Sequence, residues 1–193
     1  MTRILAFAGS ARSASLNKKL ARAAGDLAQE LGAGVTHVDL ADFPIPLYHG
    51  DLESDEGIPA KAQELRHLLS EHDALIIACP EYNGSITPLL KNVIDWTSRP
   101  ADGQPPSAVW RGKTAALLSA SPGGFGGMRG LVHVRAILSG IGVLVIPGDV
   151  SVPKAYEAFH DDGSLADERV AKRLQATVGN LVRIADALLS APA

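Results

Sequence analysis

The sequence predicts an α/β domain built on a doubly wound, five-stranded parallel sheet with helices on both faces. Five short apolar runs recur along the 193 residues, and segments with helical spacing of apolar residues separate them. The runs do not alternate apolar and polar residues, which is typical of strands buried on both faces. Since strands separated by helices cannot form hairpins, right-handed crossovers should place the helices on both sides of the sheet.

The elements can be assigned in chain order. The predicted strands are residues 4–8, 35–40, 74–78, 115–119 and 143–146. The predicted helices are residues 16–31, 59–70, 89–96, 128–141 and 167–189. This alternation favours the strand order 2-1-3-4-5, and no change of composition divides the chain, so we expect one domain over residues 1–193.

Composition and charge exclude several classes of protein. The formal net charge is −3 and no block of Lys or Arg occurs, which argues against binding to nucleic acid or an anionic membrane. The N-terminal apolar run is too short for a signal peptide, and no apolar stretch long enough to span a bilayer follows. A single cysteine, Cys79, cannot form an intramolecular disulfide. These features predict a cytoplasmic protein that is not membrane-bound.

A sheet of this kind binds ligands beyond the carboxyl ends of its strands, near the switch in strand order. The first loop there leads into a helix whose N-terminus attracts anions. It lacks the glycine patterns of dinucleotide-binding and P-loop sites, which disfavours a closely held pyrophosphate. The hydroxyls of Ser10, Ser13 and Ser15 and the guanidinium of Arg12 instead suit a terminal phosphomonoester. In a purely structural alternative, Ser15 or Asn17 caps the helix and Arg12 is solvated.

The second loop follows the third strand and can hold a flat ring. Tyr82 offers an aromatic surface, and backbone N–H groups around Asn83 and Gly84 can donate hydrogen bonds. Thr87 and Pro88 match the start of a helix, an interpretation that is compatible with a binding site.

The third loop has four glycines among residues 123–127. Glycine lets the backbone approach a ligand closely, and amides placed there can stabilise negative charge on it. The alternative is a loop that is merely flexible.

Three motifs together resemble the NADPH-dependent FMN reductase family, including its quinone and chromate reductases. They are Gly9-Ser10-x-Arg12-x-x-Ser15-x-Asn17, then Pro80-Glu81-Tyr82-Asn83-Gly84-Ser85, then Leu89-x-Lys91-Asn92-x-x-Asp95-Trp96-x-Ser98-Arg99-Pro100. The resemblance extends to about Val152. It implies the flavodoxin-like fold, a bound FMN, and NADPH or NADH as co-substrate.

The resemblance also implies roles for particular residues. It assigns the FMN phosphate to Ser10, Arg12, Ser15 and Asn17, and the flavin ring to Pro80, Glu81, Tyr82, Asn83, Gly84 and Ser85, with Ser121 and Gly123 completing the pocket. The implied activity is hydride transfer from the nicotinamide to the flavin and then to a quinone, free flavin, azo dye or metal oxyanion. The protein should also be a homodimer or a homotetramer built from dimers.

After Arg129 many relatives continue with Ala, Gln and then His-Leu-Arg, and residues 130–135 of this chain keep only part of that sequence. The difference affects the expected subunit interface rather than the flavin site. An apolar stripe of Leu89, Val93 and Trp96 fits either that interface or packing on the sheet.

Two other functions fit the sequence less well. A flavodoxin-type electron carrier is typically strongly acidic, and this chain is not. A nicotinamide-only dehydrogenase has Asp39 as a candidate ribose ligand but lacks the glycine fingerprint. Cys79 is expected to be a packing residue, and the six dispersed histidines suggest no metal site. Because flavin exchanges protons with solvent, Glu81 is expected to position the site and no acid–base residue is essential.

Overall fold

The computed structural model describes residues 1–191 and contains one central sheet. Its strands are β1 (Arg3–Ala8), β2 (Gly34–Val38), β3 (Ala74–Ala78), β4 (Thr114–Ala120), β5 (Leu144–Val145) and β6 (Val150–Val152). Its helices are α1 (Leu16–Glu30), α2 (Gly50–Glu56), α3 (Ala60–Ser70), α4 (Pro88–Thr97), α5 (Met128–Gly140) and α6 (Glu168–Ser190). The order β2-β1-β3-β4-β5, with parallel pairing throughout, confirms the predicted topology.

Successive strand residues point to opposite faces of the sheet and build two apolar layers. Ile4 and Ala6 of β1 pack into a layer that includes residues of α1 and α6. Leu5 and Phe7 pack into the other layer, which includes residues of α3, α4 and α5. Each residue of the central strand β3 is fully buried, because both faces of this strand are covered. This explains the unbroken apolar run in the sequence.

The prediction of the last strand, at residues 143–146, is only partly correct. β5 is two residues long, and Pro147-Gly148 then interrupts it, because proline has no N–H to donate and Gly148 has φ = 96°. β6 resumes the pairing with the same neighbour, β4, so that Leu118 lies opposite Val150. The split strand brings residues 150–155 beside the third loop.

The connection between β2 and α3 also differs from prediction. β2 ends at Val38, and Asp39 caps a short 3₁₀ turn over Leu40–Asp42 instead of continuing the strand. The connection contains α2, which has no buried residue and therefore no apolar periodicity to reveal it. No helix within residues 1–191 is both long and apolar enough to cross a bilayer.

The apolar stripe on α4 packs inside the subunit. Trp96 is fully buried, and its Nε1 donates a hydrogen bond to the carbonyl oxygen of Pro46 at 2.8 Å. Val93 is 2% exposed. The structure therefore supports the packing interpretation, and a charged substitution at Trp96 would disturb the core rather than a subunit interface.

Candidate functional site

The first loop begins at a point of close contact between β1 and α4. A Cβ atom on Gly9 would lie 2.9 Å from Cβ of Leu90, so no larger residue fits without a shift. The carbonyl oxygen of Gly9 accepts a hydrogen bond from Thr87 Oγ1 at 2.8 Å, and the same hydroxyl caps α4 through the N–H of Leu90. Thr87 therefore acts as the predicted helix cap and also ties the second loop to the first.

The hydroxyl groups of the first loop gather at the N-terminus of α1. Ser15 caps the helix by accepting the N–H of Lys18 at 3.4 Å, which is one of the two caps that the structural alternative allowed. Ser10 is 7% exposed, and its Oγ accepts the N–H of Arg12 at 3.3 Å. The Arg12 side chain is exposed beside them. These donors and the positive end of the helix dipole suit a phosphate group.

Asn17 lies away from this surface and links two loops instead. It is 4% exposed, and its amide forms two hydrogen bonds with the backbone of Ala120. Nδ2 donates to the carbonyl oxygen at 2.8 Å, and Oδ1 accepts the N–H at 2.9 Å. Asn17 thereby fastens α1 to the end of β4, where the third loop begins.

The second loop contains a tight two-residue turn. The backbone N–H and carbonyl groups of Tyr82 and Ser85 pair in both directions at 3.0 Å. Asn83 and Gly84 between them have φ = 52° and 78°, the pattern of a type I′ turn for which Asn-Gly is the preferred dipeptide. Across residues 1–191, neither of their N–H groups donates to another protein atom, so both are free to bind a ligand. Tyr82 is 55% exposed at the same turn.

Glu81 joins the second loop to α5. Its carboxylate accepts the backbone N–H groups of Arg129 at 3.0 Å and Gly130 at 3.3 Å, and it forms an ion pair with the Arg129 guanidinium. The Glu81 side chain is only 7% exposed. Burial raises the pKa of this carboxyl, but the hydrogen bonds outweigh it and leave the pKa below its ordinary value. The carboxylate is thus committed to the α5 N-terminus, in agreement with a positioning role.

Two further contacts hold α5 against the second loop. Ser85 Oγ lies 2.7 Å from Nδ1 of His133. A Cβ on Gly130 would lie 3.1 Å from the carbonyl oxygen of Ser85, so glycine permits this close approach within the helix. No helix or strand periodicity relates positions 81 and 85 to positions 129–133, so these contacts could not be predicted from the sequence.

The glycine-rich third loop is held in place on both sides, unlike the flexible loop considered above. A Cβ on Gly127 (φ = 83°) would lie 1.9 Å from Ser119 Oγ, and one on Gly126 (φ = 59°) would lie 2.8 Å from the backbone at Pro153. Ser121 exchanges backbone hydrogen bonds with Val152 and Ala155. Its Oγ accepts the N–H of Gly123 at 3.3 Å. The loop therefore presents a defined backbone surface beside the second loop.

Local contacts explain two residues, Cys79 and Asp39, that were not expected to take part in the reaction. Cys79 is fully buried, and burial together with the nearby charge of Asp149 raises the pKa of its thiol. It packs as a small apolar residue. Asp39 accepts a hydrogen bond from Lys18 Nζ at 2.6 Å and caps the turn that follows β2. Its carboxylate is therefore engaged and poorly suited to hold a ribose.

A broad groove of about 940 Å³ lies elsewhere, between α1 and the segment that precedes α6. Its walls mix the cations Lys19 and Arg22 with the acids Asp26 and Asp162. This mixture does not select a phosphate, whereas the three loops at the carboxyl edge of the sheet combine hydroxyl, guanidinium and free backbone N–H donors. The donor set of the loops fits a flavin mononucleotide.

Comparisons with known proteins identify the family of the chain. The family model of the NADPH-dependent FMN reductases matches residues 2–157. The chain is 35% identical to a probable NADPH:quinone oxidoreductase 2 of Oryza sativa subsp. japonica, over 99% of this chain and 92% of the relative. It is 36% identical to the NAD(P)H-dependent FMN reductase PA1204 of Pseudomonas aeruginosa, over 90% of this chain and 89% of the relative.

A solved structure supports the same conclusion. The flavoenzyme NAD(P)H:(acceptor) oxidoreductase FerB of Paracoccus denitrificans superposes with a TM-score of 0.78 at 33% identity, covering 97% of this chain and 98% of that one. The matched family residues include all three loops. On these grounds the chain belongs to the NADPH-dependent FMN reductase family.

Proposed function

We propose that the protein is an FMN-dependent NAD(P)H oxidoreductase that reduces a small acceptor, with quinones as the favoured class. The observation that carries the proposal is the meeting of three loops at the carboxyl edge of the sheet, cross-linked by Thr87, Asn17 and Glu81. The cross-links fix the relative positions of a phosphate cradle and a turn with free N–H groups.

The phosphate cradle consists of Ser10, Arg12 and Ser15. The serine hydroxyls and the N–H groups at the α1 N-terminus would donate hydrogen bonds to the phosphate oxygens, and Arg12 would add a charge-assisted pair. Asn17 was expected to bind the phosphate as well. Because both ends of its amide pair with Ala120, we assign it a positioning role in the cradle.

The ring of the flavin would lie against the second and third loops. Tyr82 offers exposed apolar surface, whereas Pro80 is buried at the start of the second loop. The N–H groups of Asn83 and Gly84 would orient the ring. The backbone around Ser121 and Gly123 would contact its other end. Glu81 and Ser85 hold the turn through α5. When bound, FMN supplies hydride chemistry between a nicotinamide and an acceptor, and the protein supplies orientation.

The acceptor class is taken from relatives named quinone oxidoreductases, which align over nearly the whole chain. Free FMN is a second acceptor, since another relative is named an FMN reductase. A flavodoxin-type carrier without turnover is the weaker candidate, because the net charge of −3 provides little of the acidity that such carriers show.

We further propose that residues 1–193 form one FMN-binding domain in the cytoplasm and that the protein is a homodimer or a homotetramer. Exposed Tyr82, Phe125, Met128 and Val132 lie around the second and third loops, where burial by a neighbouring subunit would complete the site. Sedimentation of a fully active monomer at micromolar concentration would contradict the assembly.

The activity is tested by two anaerobic additions to the FMN-loaded protein. NADPH or NADH should bleach the flavin absorbance near neutral pH, and a subsequent benzoquinone addition should restore it. A flavin that stays oxidised with both nucleotides would contradict the proposed oxidoreductase activity and favour a flavodoxin-type electron carrier.

A further inference from the structure

A hydroxyl and an imidazole form a pair at the edge of the candidate site. Ser85 Oγ and His133 Nδ1 are 2.7 Å apart. Ser85 belongs to the turn proposed to contact the flavin ring, and His133 lies on the second turn of α5, just beyond the third loop. The His133 side chain is exposed, so the pair connects the site with solvent.

Three other polar side chains that link these loops are committed to protein partners. Glu81 is held by Arg129 and Gly130, Thr87 bonds to Gly9, and Asn17 bonds to Ala120. Along the described chain, His133 has no side-chain hydrogen bond other than that with Ser85, and no carboxylate forms an ion pair with it. Its Nε2 is therefore open to water. Imidazole takes up and releases protons at neutral pH, and a bridging hydroxyl can pass a proton on.

We propose that Ser85 and His133 form a proton relay for the reduction of the acceptor, an inference that rests on the function proposed above. Reduction of a quinone to a hydroquinone takes two electrons and two protons. A hydride brings both electrons and one proton, so the second proton must come from another donor.

In the proposed step, Ser85 donates that proton. The O–H bond of Ser85 breaks as an O–H bond forms on the acceptor oxygen. The Nδ1–H bond of the His133 imidazolium breaks at the same time and restores the serine hydroxyl. The neutral imidazole then regains a proton from water, and the pair returns to its starting state.

The relay predicts a difference between acceptors that need a proton and acceptors that do not. Ferricyanide accepts one electron and takes no proton. Loss of the relay should therefore slow the reduction of a quinone and leave the reduction of ferricyanide unchanged. A pair that only holds the turn in place would affect both acceptors equally.

The test compares Ser85→Ala and His133→Gln with the wild type and with His67→Gln, a control on the exposed side of α3 where the histidine contacts Glu71. The FMN-loaded proteins are reduced with dithionite and mixed anaerobically with benzoquinone or ferricyanide. In both relay variants the rate with benzoquinone should fall roughly 100-fold relative to the rate with ferricyanide, the scale of general acid catalysis. The rate of His133→Gln with ferricyanide and both rates of His67→Gln should stay within about twofold of the wild type.

Equal slowing with both acceptors, or no slowing with benzoquinone, would overturn the relay. Because dithionite reduces the flavin, the test does not depend on nicotinamide oxidation, whose failure would contradict the proposed function instead. A second readout needs no flavin. In the ¹⁵N spectrum of the histidine rings, Ser85→Ala should shift the His133 Nδ1 resonance and no other, and an unchanged His133 spectrum would contradict the contact.

Discussion

The Glu81 carboxylate accepts the backbone N–H of Arg129 at 3.0 Å, which places the side chain of one loop at the N-terminus of the helix that follows another. The helix dipole favours a negative charge at this point. The ionised Glu81 therefore stabilises the start of α5 and fixes the Tyr82–Ser85 turn next to the third loop.

Replacing Glu81 by glutamine should destabilise the protein by about 1–3 kcal/mol and weaken FMN binding. Glutamine has one oxygen that can accept hydrogen bonds where glutamate has two, and it carries no negative charge to stabilise the helix N-terminus. Since Arg129 is 61% exposed, most of the loss should come from the backbone N–H groups rather than from the ion pair. Urea unfolding of the apo-protein measures the change in the free energy of unfolding. The control is Glu64→Gln, which removes the exposed ion pair with Lys61 and should change that free energy by less than about 0.5 kcal/mol.

The same variant has a characteristic pH dependence. Folding lowers the pKa of Glu81, so its stabilising contribution is present above the unfolded pKa of about 4.3 and is lost as the pH falls through the folded value. The difference in unfolding free energy between wild type and Glu81→Gln should be constant near neutrality and shrink in acid. A difference that grows as the pH falls would contradict this.

Asn17→Ala should cost about 2–4 kcal/mol of folding stability. The substitution leaves the buried N–H and carbonyl of Ala120 without partners, each at roughly 1–2 kcal/mol. Thermal unfolding of the apo-protein measures the loss. The control Asn180→Ala, on the exposed side of α6, should stay within about 0.5 kcal/mol of the wild type. Equal effects at the two positions would show that the Ala120 bridge is unimportant.

Substitution by alanine should be costly at Gly127 and nearly neutral at Gly124. A Cβ at Gly127 meets Ser119 Oγ at 1.9 Å in a left-handed conformation, so Gly127→Ala should lose about 2–4 kcal/mol and much of the FMN affinity. A Cβ at Gly124 meets nothing within 4 Å, and Gly124→Ala should be nearly neutral. Denaturant titration and flavin fluorescence measure both quantities, and a tolerated Gly127→Ala would show that the third loop adapts freely.

Arg12→Ala should weaken FMN binding by roughly 1.5–3 kcal/mol while the fold survives, because the exposed guanidinium would lose only its bond to the phosphate. Isothermal titration of the apo-protein with FMN gives the affinity. Arg173→Ala, on the exposed side of α6, is the matched control. An unchanged affinity for Arg12→Ala would mean that Arg12 is solvated, as the structural alternative holds.

The fold was largely predictable from the sequence because each buried strand is a short apolar run and each long helix has an apolar face. β3 illustrates this, since its five residues are buried and were predicted without error. The failures have local causes. Pro147 and Gly148 divide the final strand, and α2 has no buried face to produce a periodic pattern.

The site was predicted as three separate loops, and the contacts between them were not. Asn17 illustrates the limit. The family resemblance implied a phosphate ligand and its residue type allowed a helix cap, whereas its amide bonds to Ala120, 103 positions away. Glu81 with Arg129 and Ser85 with His133 are likewise separated by 48 positions. Local patterns report which residues begin helices and turns, but tertiary packing decides which loops meet.

The central claim is that these loops form a site for FMN, and the most direct measurement is flavin binding to the apo-protein. Titration with FMN should show one FMN bound per chain. Riboflavin should bind more weakly than FMN, because it cannot make the phosphate contacts at Ser10, Arg12 and Ser15. FAD should also bind more weakly than FMN, because no glycine fingerprint accommodates a pyrophosphate. Riboflavin binding as tightly as FMN, or a preference for FAD, would contradict the account.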